Sequence, residues 1–292
     1  MKQTFTLAFA LLLTFMVHAQ IPKLKEVQNV QQSEVIIGLT GNLELDKNLE
    51  EMVKKFWTIC PISDILPLKE ARKKAKENDN LYVIHFGSLH SMSPKRYVGN
   101  NYYFKDISTG YFIGLTTGAK KPLMRSYIPI FDNEFTEEVL SHGVTYMQEL
   151  FTLMLDNEVG ALKTLKIIKD NSTELKDKVL YIPDWWMDSK LTEADITKRY
   201  KGKYEIVSHY EWSSAILNKT PGIAYSIIIP VPMGGKYVYQ HHICDAETSE
   251  IYGITQPKGA AIQLNGLNMS KANKGYVSKK NLDQYNDVLN GK

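Results

Sequence analysis

Ile223-Ala224-Tyr225-Ser226-Ile227-Ile228-Ile229-Pro230-Val231 is the stretch on which the fold turns. It is almost continuously apolar, as a strand must be when both faces of its sheet are covered. Such a strand lies centrally in an α/β sheet. Downstream, Tyr237–Cys244 alternates instead, with Tyr237, Tyr239, His241 and Ile243 on one face. That pattern predicts a hairpin strand nearer the edge, and Ile251–Thr255 follows it. Upstream, Val179–Ile182 and Tyr204–Ser208 read as strands, each followed by a helical stretch, Leu191–Tyr200 and Glu211–Asn218. The order of this half is β-α-β-α-β-β-β.

The first half predicts the same order. Glu34–Gly38, Ile59–Ser63 and Leu81–Phe86 read as strands, with helical stretches at Leu49–Trp57 and Leu68–Lys76 between them. Tyr102–Ile107 and Tyr111–Thr116 read as the closing hairpin. Val35 matches Val179, Ser63 matches Ser208 and Tyr82 matches Tyr225 at nearly constant separation. Asp106-x-x-Thr109 with Gly114-x-Thr116 recurs as Asp245-x-x-Thr248 with Gly253-x-Thr255 at one constant spacing. Asp at a strand end accepts backbone N–H bonds in a turn, and Gly inside a strand marks a bulge or close approach. The expected fold is α/β: two tandem related modules, each a mixed sheet with helices on both faces.

The chain divides accordingly. Residues 33–134 form module one and 177–270 module two, with 135–176 a helical connector. Residues 20–32 read as a loose arm, Pro257–Lys274 as loop, and 271–292 as a tail with a short helix. In the connector Phe135, Val139, Gly143, Met147, Leu150, Phe151 and Met154 recur near helical spacing, the pattern of a buried face.

At the N-terminus Lys2, an apolar run from about Phe5 to Val17, and Val17-His18-Ala19 describe a secretory leader cut near Ala19. The run is too short to span a bilayer, which takes about 20 residues. No segment of the mature chain is apolar enough to do so. Residues 1–19 therefore read as signal peptide, and the expected address is periplasmic or extracellular. The formal net charge of +3 argues for no nucleic-acid partner. The two cysteines, Cys60 and Cys244, form no disulfide framework.

No G-x-S-x-G, P-loop, G-x-G-x-x-G, H-E-x-x-H or C-x-x-C occurs. His241-His242-Ile243-Cys244-Asp245 is the densest cluster. His241 and His242 point to opposite faces of a strand, while His242 and Cys244 share one and could begin a zinc site. The positions matched in module one, Tyr102 to Asp106, hold neither His nor a thiol, so the scaffold does not require them. No metal and no cofactor are expected.

Loops at the C-terminal ends of parallel strands are where open α/β sheets place ligands. His85, read as a strand end, and Ser88, in the expected loop Gly87–Ser93, are candidates on that ground. Asp184-Trp185-Trp186 follows the first strand of module two, where paired indoles beside a carboxylate suit flat or sugar-like ligands. Packing onto the connector helices is the alternative role for the Trp pair. No catalytic residue is assigned. The expectation is a non-catalytic binding or envelope-associated protein with an unidentified ligand or partner. A secreted or periplasmic hydrolase using scattered His, Asp or Glu is the alternative, and a metal-dependent role for His242 and Cys244 the third reading.

Overall fold

The computed structural model describes residues 22–92, 96–98, 101–103, 107–118, 122–130, 134–233, 235–255, 262–263, 266–267 and 275–292. The leader read at residues 1–19, Asp106, and most of the loop read at Pro257–Lys274 lie outside the described residues. No helix among the described residues is long and apolar enough to cross a membrane.

The first half runs α1 (Leu24–Gln31), β1 (Glu34–Leu39), α2 (Leu43–Phe56), β2 (Ile62–Pro67), α3 (Leu68–Glu77), β3 (Leu81–Met92), β4 (Arg96–Val98), β5 (Asn101–Tyr103), β6 (Ile107–Thr116) and β7 (Met124–Ile128). Its sheet has the order β2-β1-β3-β6-β7. The first three strands are parallel, and β6 and β7 are added antiparallel. Helices α4 (Glu137–Asp156) and α5 (Ala161–Asn171) lead to the second half. That half runs β8 (Val179–Pro183), α6 (Glu193–Arg199), β9 (Lys203–Val207), α7 (His209–Leu217), β10 (Ile223–Met233), β11 (Lys236–Asp245) and β12 (Ile251–Thr255). Its order, β9-β8-β10-β11-β12, repeats that of the first sheet with the same strand directions. The short strands β13 (Ile262–Gln263) and β14 (Gly266–Leu267) pair with each other, and α8 (Lys279–Leu289) closes the chain. The α/β class and the two like sheets are as the apolar runs predict.

Local chemistry starts the helices. Asn42 caps α2 by accepting from Leu45 N at 3.2 Å. Asp46 closes the β1–α2 turn, accepting from Thr40 N at 2.7 Å, Thr40 Oγ1 at 2.9 Å and Gly41 N at 2.7 Å. Gly41 sits at φ +95°, a conformation that favours glycine. Ser208 and Glu211 cap α7 reciprocally, which fixes where β9 turns into helix.

The connector is the centre of the molecule. Val139, Leu140, Val144, Met147, Leu150, Phe151 and Met154 of α4 are all fully buried. One side of α4 meets the first sheet at Gly143, where an added Cβ would lie 2.7 Å from Ile113 Cγ1 and 2.9 Å from Ile128 Cγ2. Its other side meets the second sheet through His142, Tyr146, Tyr225 and His242. Ile37, Ile84, Ile113, Tyr225, Ile227 and Cys244 thus belong to one shared core.

The closing hairpin of module one departs from expectation. Tyr102–Ile107 is not its fourth strand; β6 is, and β7 at Met124–Ile128 is the fifth. The β3–β6 register pairs Ile84 with Leu115, as β10–β11 pairs Tyr225 with Cys244. The counterpart of β11, with its His241–Asp245, is therefore β6 and not Tyr102–Asp106. Gly114 lies in the fourth strand and Gly253 in the fifth, so the constant spacing of the Gly-x-Thr motifs is a coincidence. The Asp turn is real in module two, where Asp245 Oδ1 accepts from Glu247 N at 2.8 Å and Thr248 N at 2.9 Å. Residues 24–31, read as loose arm, form α1, with Val27 and Val30 in the shared core.

Candidate functional site

The turn after β8 is short and tied down. Asp184–Trp186 makes a single 3-10 turn, and Val277 N donates to Trp186 O at 2.6 Å while Asp188 N donates to Val277 O at 2.9 Å. Asp184 is exposed. Trp185 lies edge-on to His209 at 5.2 Å and to the buried Trp212 at 5.6 Å, and Trp186 meets Trp212 at 5.6 Å. The pair thus packs at the edge of the shared core on His209 and Trp212 of α7, a module-two helix, where the packing alternative named the connector helices. Trp186 has a second role: it lines a groove of about 270 Å³ between the modules.

Tyr111 and Ile130 from module one face Trp186, Tyr237 and Tyr239 from module two across that groove. Its end is pinned by two bonds between modules: Tyr237 hydroxyl donates to Thr109 O at 3.0 Å and accepts from Thr109 N at 3.2 Å. Here the two modules approach closely, since a Cβ on Gly110 would sit 2.4 Å from Pro232 Cδ. Aromatic walls with a few polar tips are the usual build of a small-molecule site. No family model matches the chain, and no solved structure matches it. Over 170 residues it is 23% identical to Methylated protein MJ0556 of Methanocaldococcus jannaschii, a stretch covering 53% of this chain and 91% of that protein. A likeness of that size does not place the chain in a family.

The module-one candidates separate. The stretch read as a loop is strand: β3 continues through Met92, so His85 sits within it rather than at its end. Alternation puts His85 on the outer face and Ser88 on the opposite one. Ser88 is exposed and pairs in register with the groove residue Tyr111. His85 is buried, and burial pushes its pKa down to about 4, with Arg72 and Arg125 acting in the same direction. Its Nδ1 lies 2.9 Å from Phe86 O and its Nε2 3.3 Å from Arg72 Nη2. A donating Nδ1–H leaves Nε2 to accept from the guanidinium.

His241 and His242 do face opposite ways. His241 meets Tyr285 hydroxyl of α8 at 2.7 Å on the outer side. His242 turns to α4, where its Nδ1 lies 3.3 Å from His142 Nε2, and His142 Nδ1 lies 3.1 Å from Tyr225 hydroxyl. Tyr146 stacks on His242 at 4.8 Å. Burial holds both imidazoles far below their ordinary pKa, so they share the contact as neutral rings. Cys244, beside Tyr225, is raised by burial, and Cys60 is pushed up to about 11 for the same reason. Both are free, buried thiols, inert as nucleophiles in that state. Among the described residues no three His, Cys, Asp or Glu are grouped to hold a metal ion.

The sequence reading missed the partners that come from afar. His142 reaches His242 only because α4 is buried between the sheets, and no local signal marks it. Glu138, buried at the start of α4, meets His209 Nε2 at 2.8 Å and accepts from Ser213 Oγ at 3.2 Å. The serine bonds the carboxylate rather than the imidazole, so this trio orients His209 against Trp185 and does not form a nucleophile–base pair. Tyr111, Tyr237 and Tyr239 were legible as strand residues but not as one wall.

Proposed function

We propose that the chain is an exported, non-catalytic binding protein whose ligand lies in the groove between the two modules. The observation that carries this reading is the wall made by Trp186, Tyr111, Tyr237 and Tyr239, contributed by both modules around a volume of about 270 Å³. Aromatic faces that meet in a groove favour a flat ring or the apolar face of a sugar. Export rests on the basic start and apolar run of residues 1–19.

A panel of soluble oligosaccharides, titrated into the mature protein by calorimetry, tests the reading. At least one is expected to bind, and Trp186→Ala and Tyr239→Ala to weaken it about 30-fold, the effect of losing an anchor of about 2 kcal/mol. Tyr210→Ala, at an 81% exposed side chain outside the groove, is the control. No binding across the panel, or binding unchanged in both groove variants, would contradict the reading.

A further inference from the structure

The outer side of module one carries a larger depression, of about 870 Å³. It lies at the C-terminal ends of β1 and β2, against the face of α3. Four cations of α3 line it: Lys69, Arg72, Lys73 and Lys76. Their spacing sets them on one helical face, where like charges at i,i+3 and i,i+4 repel.

Among the described residues no carboxylate pairs with them. Lys74, off the depression, pairs with Asp64 at 3.0 Å. Lys69, Lys73 and Lys76 have no ion pair or hydrogen bond among the described residues. Asp46 is the acid in the lining, and its two oxygens are already taken by three donors of the β1–α2 turn. Arg72 has the neutral ring of His85 as its partner, and its Nε is buried without a hydrogen bond. Apart from Thr40 and two glycines, the rest of the lining is apolar: Leu39, Pro67, Leu68 and Leu43, which is 89% exposed.

We propose that this depression binds a small amphiphilic anion, its phosphate or carboxylate head on Arg72, Lys73 and Lys76 and its apolar body against Leu39, Leu43 and Leu68. Charge complementarity selects the head, and the exposed Leu43 with the partly buried Leu39 and Leu68 selects the body. The volume lies within the range of about 300–1,000 Å³ usual for small-molecule sites. The site is independent of the aromatic groove.

Calorimetry with octyl phosphate, inorganic phosphate and octanol tests it on the mature chain. Octyl phosphate is expected to bind one to one, about tenfold or more tighter than inorganic phosphate, with no saturable binding of octanol. Lys73→Glu and Lys76→Glu, both at exposed positions, should each weaken it about tenfold, and Arg72→Gln likewise. Raising salt from about 50 to about 300 mM should weaken it further. Trp186→Ala should leave it unchanged. The proposal is overturned if octyl phosphate fails to bind, if both lysine variants bind it as the parent does, or if inorganic phosphate binds equally well. Co-sedimentation with phosphatidylglycerol vesicles without saturable binding of octyl phosphate would also overturn it, in favour of a membrane surface.

Discussion

The two modules share a strand order but turn opposite faces to the central helix. In module one the first crossover helix, α2, packs inward, with Leu49, Met52, Val53 and Phe56 in the shared core. In module two the second crossover helix, α7, does so through Trp212 and Ile216. The helices left outside differ in their cover. Module two's α6 is joined by α8, and Leu180, Ile182, Ile196, Tyr252, Leu282 and Tyr285 build a second core there. Module one has only α3 outside among the described helices, over the small cluster Ile36, Ala71, Ala75, Leu81 and Val83. A repeated sheet therefore does not repeat its surface. The depression lined by the cations of α3 lies on the outer side that has no counterpart of α8.

Substitutions on the two faces should separate these roles. The largest effect is expected from Trp212→Ala. Its ring is fully buried, its Nε1 donates to Ser226 O at 3.1 Å, and it supports both Trp185 and Trp186. A loss of about 3–5 kcal/mol is expected, read as a lower urea midpoint with both halves unfolding in one transition. Gly143→Ala should cost about 1–3 kcal/mol, because the new methyl collides with Ile113 and Ile128 where α4 meets the first sheet. Unchanged stability would mean that α4 can lift off that sheet.

The next effect is a pH dependence. His85, His142 and His242 are held neutral in the fold, with pKa values depressed by burial. The unfolded chain binds protons near pH 6.5 that the folded chain refuses, so stability is full above that point and falls as pH drops below it. For His85 the loss runs down to about pH 4. Each imidazole adds a slope of at most about 1.4 kcal/mol per pH unit. His85→Gln should flatten the urea-midpoint profile between pH 6 and pH 4 by its share alone and leave the share of the inter-module pair. The smallest effect, under about 0.5 kcal/mol, is expected for Leu43→Ser at its exposed position.

Module two was legible almost residue by residue, whereas module one was not, for physical reasons. Ile223–Val231 is covered on both faces, so burial wrote itself into an apolar run. In β3 the apolar run stops at Phe86, and Gly87–Met92 holds only partly buried or exposed residues, paired with β6 along its whole length. A ladder without a buried face leaves no hydrophobic period to read, and glycine and serine then imitate a loop. The α1 segment was missed because two valines, Val27 and Val30, are its whole buried face. Of the candidate site, the Trp pair could be found from its place after a parallel strand. The tyrosines that complete the wall come from strands more than a hundred residues apart in Tyr111 and Tyr237, and only tertiary structure joins them.

Native-state hydrogen exchange across α4 and both sheets tests most directly the claim that one helix joins the modules into a single core. Amides of α4, β1, β3, β8 and β10 should then exchange through one global opening, with a common free energy and a common denaturant slope. Protection that persists in β8 and β10 after α4, β1 and β3 have exchanged would contradict it.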